Sequence, residues 1–126
     1  MSAAAPRDDL AFWQRPDTVK RTYVDGRYGQ LHYRWADPGA TDRTPVLFVH
    51  SSPSSGRMWE ALLAELGQDR LALAPDTPGF GDSTPPPAAP EIADYAATMG
   101  AFLEELGIDE VDVVGYHTGS KTCVEL

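Results

Sequence analysis

Val111-Asp112-Val113-Val114-Gly115-Tyr116-His117-Thr118-Gly119-Ser120-Lys121 is the stretch on which the reading of this chain turns. A short apolar run stops at Gly115. Three residues follow, then Gly119, then residues able to start a helix. The pattern predicts a strand, a sharp turn and a helix. In so tight a turn, side chains at the two glycine positions would clash, and His117 between them is displayed at the tip.

The remainder of the chain sets bounds on that reading. Its 126 residues are a normal length for one domain, and an apolar fraction of 42% suffices for a packed core. A formal net charge of −9 argues against nucleic acid or an anionic membrane as partner, and the acids read as a solvated surface. Cys123 is the only cysteine, so there is no intrachain disulfide and no cysteine cluster for a metal. His32, His50 and His117 lack a ligand spacing. Neither a metal nor another cofactor is therefore expected. The start, Met1 to Asp9, has no apolar signal region, and nothing approaches a membrane-spanning length. A cytoplasmic location is the expectation.

Taken in order, residues 1–18 read as an extension whose apolar handle is Leu10, Phe12 and Trp13. Val19 to Arg27 and Gln30 to Ala36 carry the Tyr, Val, Leu and Trp that suit strands, and Arg27-Tyr28-Gly29-Gln30 supplies a hairpin turn. Pro45 to His50 is a continuous apolar run, which suits a strand buried on both faces. After a polar loop, Met58, Trp59, Leu62, Leu63 and Leu66 share a helix face closed by Gly67. Arg70 to Ala74 reads as a second buried strand, followed by a glycine- and proline-rich loop. Ile92, Tyr95, Ala96, Met99, Phe102, Leu103 and Leu106 mark one face of a longer helix ending at Gly107. Val111 to Val114 is the third buried strand.

A hairpin followed by strand–helix–strand–helix–strand–helix predicts an α/β fold, with a mostly parallel sheet and helices on both faces. Val111 to Val114 is too apolar for a sheet edge. Residues 19–126 are accordingly expected to be the N-terminal portion of a larger domain.

Four features in order resemble the α/β-hydrolase fold family. The hairpin Tyr23 to Tyr33 resembles its opening strands. Val46-Leu47-Phe48-Val49-His50-Ser51-Ser52-Pro53 resembles its strand and H-G-x-P oxyanion loop. Asp76-Thr77-Pro78-Gly79-Phe80-Gly81-Asp82-Ser83 resembles its D-x-P-G-x-G-x-S loop, and Gly115 to Gly119 sits where its nucleophile elbow belongs. The resemblance implies hydrolysis of an ester, an amide or a similar bond in a small molecule. A nucleophile at the elbow, a later acid and a later histidine would carry the reaction. It also implies two backbone oxyanion donors, the N–H groups of Thr118 and Ser52.

Two residues depart from the pattern. Ser51 replaces a glycine, and His117 stands where serine, cysteine or aspartate is usual. Imidazole can act as a nucleophile or as a base. Glu125 follows His117 but no histidine does, so the 126 residues alone are expected to be inactive. The position of His50 implies support of the loop, and that of Asp76 implies fixing of the glycine-rich turn. Ser120 is read as starting the helix and Cys123 as packing. The alternative reading is a member of the fold that binds a ligand without turning it over. A third reading ranks below both: Gly115 to Thr122 resembles a phosphate loop ending in Lys121-Thr122, but Ser120 stands where its second glycine is needed.

Overall fold

A computed structural model describes residues 18–126, so the expected extension lies outside the described residues but for its last residue. The strands are β1 (Lys20–Gly26), β2 (Gly29–Ala36), β3 (Val46–Val49), β4 (Ala72–Pro75) and β5 (Asp112–Gly115). The helices are α1 (Glu60–Leu66), entered through a 3-10 turn over Gly56–Trp59, then α2 (Ile92–Glu105) and α3 (Thr118–Glu125).

β1 and β2 form the antiparallel hairpin, with Gly26 opposite Gly29 and Arg27-Tyr28 between them. β2 adds antiparallel to β4, while β4, β3 and β5 run parallel, giving the order β1-β2-β4-β3-β5. The chain leaves β3 for β4 on one side, then crosses back over β3 to reach β5 on the other. Right-handed crossovers taken in opposite directions put their helices on opposite faces.

The alternation along each strand matches that placement. Val46 and Phe48 of β3, with Ala72 and Ala74 of β4, pack beneath Trp59 and Leu63. The Phe48 and Trp59 rings lie 5.0 Å apart. Leu47, Val49 and Leu73 point the other way and meet Met99, Phe102 and Leu103 of α2. All four residues of β3 are buried, as a central strand covered on both faces requires. α2 opens with the Asp94 carboxylate accepting from the Glu91 N–H at 2.8 Å.

Three expectations change in detail. Met58 of the 3-10 turn and Leu62 of α1 are 42% and 44% exposed, so the inner stripe is narrower than the sequence suggests. Leu62 lies about 100° around the helix from buried Leu63, at the margin of the face that meets the sheet. β4 starts at Ala72, not Arg70. β5 is not a buried strand: Val113 and Val114 are 40% and 39% exposed. Among the described residues it has a strand neighbour only in β3, and α1 sits over β2 and β4, away from the β5 face opposite α3.

Two glycines test how closely the elbow packs. A Cβ on Gly119 would fall on the Val49 carbonyl oxygen, whereas a Cβ on Gly100 would meet nothing nearer than Leu126 Cδ1 at 3.9 Å. Gly119→Ala is expected to lower the free energy of urea unfolding by about 3 kcal/mol or more. Gly100→Ala, within α2, is expected to raise it by about 0.5–1 kcal/mol.

Candidate active site

β3 lies between β4 and β5, and the segments leaving β3 and β5 part company. The first leads to α1 on one face, the second to α3 on the other. Such a switch point opens a crevice at the carboxyl ends of the strands. Ser52 lies on the first segment and His117 and Thr118 on the second. The fold thus brings the three sequence-predicted site residues together from 65 and 66 positions apart. The contact between the two sides is a 2.7 Å hydrogen bond from the Ser52 N–H to Thr118 Oγ1.

The elbow is a short connection under close constraint. Tyr116 N–H donates to the Val49 carbonyl at 3.3 Å, Gly119 N–H to Tyr116 O at 2.9 Å and Ser120 N–H to His117 O at 3.0 Å. A Cβ at Gly115 would come within 2.6 Å of the Gly119 carbonyl. Between the two glycines the backbone turns over at His117. His117 has φ 56° and ψ −116°, and among the described residues it alone combines a positive φ with a side chain. Backbone held so far from the favoured regions costs about 1–3 kcal/mol and persists only where the surroundings fix it. The imidazole is exposed at the tip.

The loop after β3 is anchored by His50, which is 2% exposed. Thr77 N–H donates to its Nε2 at 2.9 Å, so that nitrogen is unprotonated. The proton then sits on Nδ1, which donates to the Ser51 carbonyl at 2.9 Å. Both ring nitrogens are committed, and the neutral imidazole fits. Burial pushes its pKa below the ordinary 6.5, against the opposing effects of the Ser51 carbonyl and the Asp76 carboxylate. His50 therefore shapes the loop that carries Ser52.

Asp76 is fully buried and holds the neighbouring loops. Oδ1 accepts from Gly56 N–H at 2.7 Å and from Arg34 at 3.4 Å; Oδ2 accepts from His32 Nδ1 at 2.9 Å and Asp82 N–H at 3.0 Å. Arg34 also donates to Glu60 at 2.9 Å. The sequence reading overlooked Arg34, and it gave His32 and Ser83 no part in this cluster. The available signal was the alternation His32, Arg34, Ala36 against Leu31, Tyr33, Trp35 in β2, which points buried polar groups toward a buried acid. His32, Asp76 and Asp82 bring possible ligand atoms within 4.8 Å of one another. Four donors already occupy the Asp76 carboxylate, however, so the trio is a hydrogen-bonded cluster and not a cation site.

The phosphate-loop reading meets a geometric obstacle. α3 begins at Thr118, so the amides of Gly119 and Ser120 are spent on Tyr116 and His117 and do not cradle an anion. Cys123 packs against the core on the α2 side, and burial pushes its thiol pKa up. Among the described residues no helix is long and apolar enough to cross a membrane.

Comparison with known proteins agrees with this geometry. A family model described as alpha/beta hydrolase fold matches residues 44–126. A haloalkane dehalogenase of Bradyrhizobium diazoefficiens is 31% identical over 108 residues, 86% of this chain and 34% of that protein. The dihydrolipoyllysine-residue acetyltransferase component of the acetoin cleaving system of Cupriavidus necator is 30% identical over 121 residues, 96% of this chain and 31% of that protein. The crystal structure of an N-acyl homoserine lactonase mutant superposes with a TM-score of 0.76 at 27% identity, covering 86% of this chain and 40% of that one. The chain thus spans about a third of the length of these curated relatives.

The His50 arrangement has a pH signature. Its folded pKa lies below the unfolded value of 6.5, so at lower pH the unfolded chain takes up the proton more readily. The stability His50 contributes is present above about pH 6.5 and is lost as pH falls below that value through the folded pKa. His50→Gln keeps an acceptor and a donor but does not titrate. Between about pH 7.5 and 5.5, urea midpoints of the unsubstituted protein are expected to fall relative to those of His50→Gln. Parallel curves would count against the assignment.

Proposed function

The chain belongs to the alpha/beta hydrolase fold family, and from that premise we propose that it carries the elbow and oxyanion half of a hydrolase acting on an ester, amide or similar bond in a small molecule. Haloalkane dehalogenase and N-acyl homoserine lactonase are among the proteins it resembles, and their names set the size of substrate envisaged. The observation that carries the proposal is His117 itself. A strained residue at φ 56°, exposed at the switch point of the sheet, is what a displayed reactive group requires.

In this reading the His117 imidazole attacks the substrate carbonyl or withdraws a proton from the attacking water. Negative charge gathers on the carbonyl oxygen as the carbon becomes tetrahedral. Thr118 N–H, in the first turn of α3, has no intrahelical acceptor and meets that oxygen from one side. Ser52 N–H meets it from the other. Preorganised donors of this kind are each worth roughly a hundredfold or more in rate. Both are backbone groups, so their aim depends on His50 and on the elbow rather than on their own side chains.

The proposal concerns a domain of the length its relatives have. An acid and a second histidine would complete the usual set, and the 126 residues alone are expected to hydrolyse nothing above background. A second reading has its own observation. Ser52 N–H already has an acceptor in Thr118, which suits a protein that binds without turnover. Its mark would be saturable binding across an ester and lactone panel with no product.

In the whole domain, His117→Ala is expected to reduce kcat/KM for a nitrophenyl ester by at least about a hundredfold. Unchanged turnover would remove His117 from the reaction. His117→Gly separates display from stability. It should inactivate equally, yet be neutral or stabilising by up to about 2 kcal/mol in urea unfolding, since glycine accepts this backbone conformation.

A further inference from the structure

We propose that the Thr118 side chain is the gate of the oxyanion position: its hydroxyl occupies the place of the substrate's carbonyl oxygen, and a substrate enters by displacing it. This rests on the reading of the Ser52 and Thr118 N–H groups as oxyanion donors. The contact is a short hydrogen bond, 2.7 Å from Ser52 N to Thr118 Oγ1, where an N–H···O bond is ordinarily nearer 2.9–3.0 Å. A threonine hydroxyl can donate once and accept twice; here it accepts, as a carbonyl oxygen would. Ser52 is exposed and Thr118 half-buried, so the bond lies within reach of solvent.

The hydroxyl has somewhere else to go. Behind it is a cavity of about 10 Å³ lined by His50, Ser52, Thr77, Tyr95, Thr118 and Thr122. That volume is about one water's worth, far too small for a substrate; of its lining hydroxyls, Thr77 Oγ1 contacts His50 Nε2 at 3.1 Å and Thr122 Oγ1 donates to the Thr118 carbonyl at 3.3 Å, so each can receive the Thr118 hydroxyl as an acceptor. Rotation about χ1 between staggered wells would carry Oγ1 off the Ser52 N–H without moving α3. Gly119 pins the backbone of the first helical turn against Val49, so the side chain and not the helix is the part able to yield. The bond Ser52 N–H must break to Thr118 offsets part of the bond it makes to substrate. Thr118 therefore weakens binding while leaving the chemistry at His117 to follow.

Thr118→Val keeps the branched shape and removes the hydroxyl; Thr118→Ser keeps the hydroxyl and removes the methyl. By NMR, Ser52 N–H should exchange with solvent faster in Thr118→Val and at the unsubstituted rate in Thr118→Ser. Butyrate, whose carboxylate oxygen imitates the oxyanion, should bind Thr118→Val about tenfold more tightly than the unsubstituted chain or Thr118→Ser. In the whole domain the same change should lower KM. Equal protection of Ser52 N–H in Thr118→Val, or butyrate affinity equal to or below that of the unsubstituted chain, would overturn the gate. Repeating the titration in His117→Ala separates the two proposals. The gain from Thr118→Val should survive there, because it does not need the imidazole. A His117→Ala domain with full turnover would sink the reaction and leave the gate standing.

Discussion

One buried carboxylate ties β2 to the loops around it, beyond what the sheet ladder holds. Asp76 accepts from β2 through His32 and Arg34, from the turn into α1 through Gly56, and from its own loop through Asp82. Its backbone N–H donates to the His32 carbonyl at 2.9 Å, and its carbonyl accepts from Ser83 Oγ at 2.7 Å. A bare carboxylate in that position would cost several kcal/mol, so the arrangement is stable only when every donor is in place. The antiparallel hairpin, the entry to α1 and the glycine-rich loop are thus fixed by a common condition. Thr77, next in the chain, carries that condition to His50, and His50 carries it to the loop that holds Ser52.

The elbow is built on a separate constraint, the approach of Gly119 to the Val49 and His50 carbonyls. It uses local backbone hydrogen bonds and the absence of two side chains, not a buried side-chain network. The two halves of the candidate site therefore rest on different physics. The Ser52 side depends on buried hydrogen bonds and on a neutral imidazole, and the His117 side on steric closeness. A hydrogen bond from Ser52 N–H to Thr118 Oγ1 joins them at the tip.

The fold was legible because its signals are local. Val46 to Val49 is apolar on every residue, and only a strand covered twice needs that. Gly115 and Gly119 announced the turn, because close backbone approach leaves no other residue type. The stripe of α2 gave Met99, Phe102 and Leu103 to the core, although buried Thr98, bonded back to the Asp94 carbonyl at 2.8 Å, broke the pattern. What the sequence hid was pairing over distance. The His32–Arg34–Asp76 cluster spans 44 positions, and no periodicity in either segment names its partner. The exposure of β5 was hidden for the opposite reason: an apolar strand records the neighbours it is suited to, not those the described residues supply. Thr118 entered the sequence reading only through its backbone N–H, and its hydroxyl's acceptor role needed coordinates.

The strain at His117 has a consequence for how such a site can change. It is borne by the main chain and imposed by the close backbone approach at Gly115 and Gly119, so any tip residue with a side chain bears it alike. Any group placed there is thrust outward at the same angle. The turn behaves as a socket, and its occupant can be exchanged without rebuilding the mount. The imidazole of His117 is the group that this mount presents to solvent.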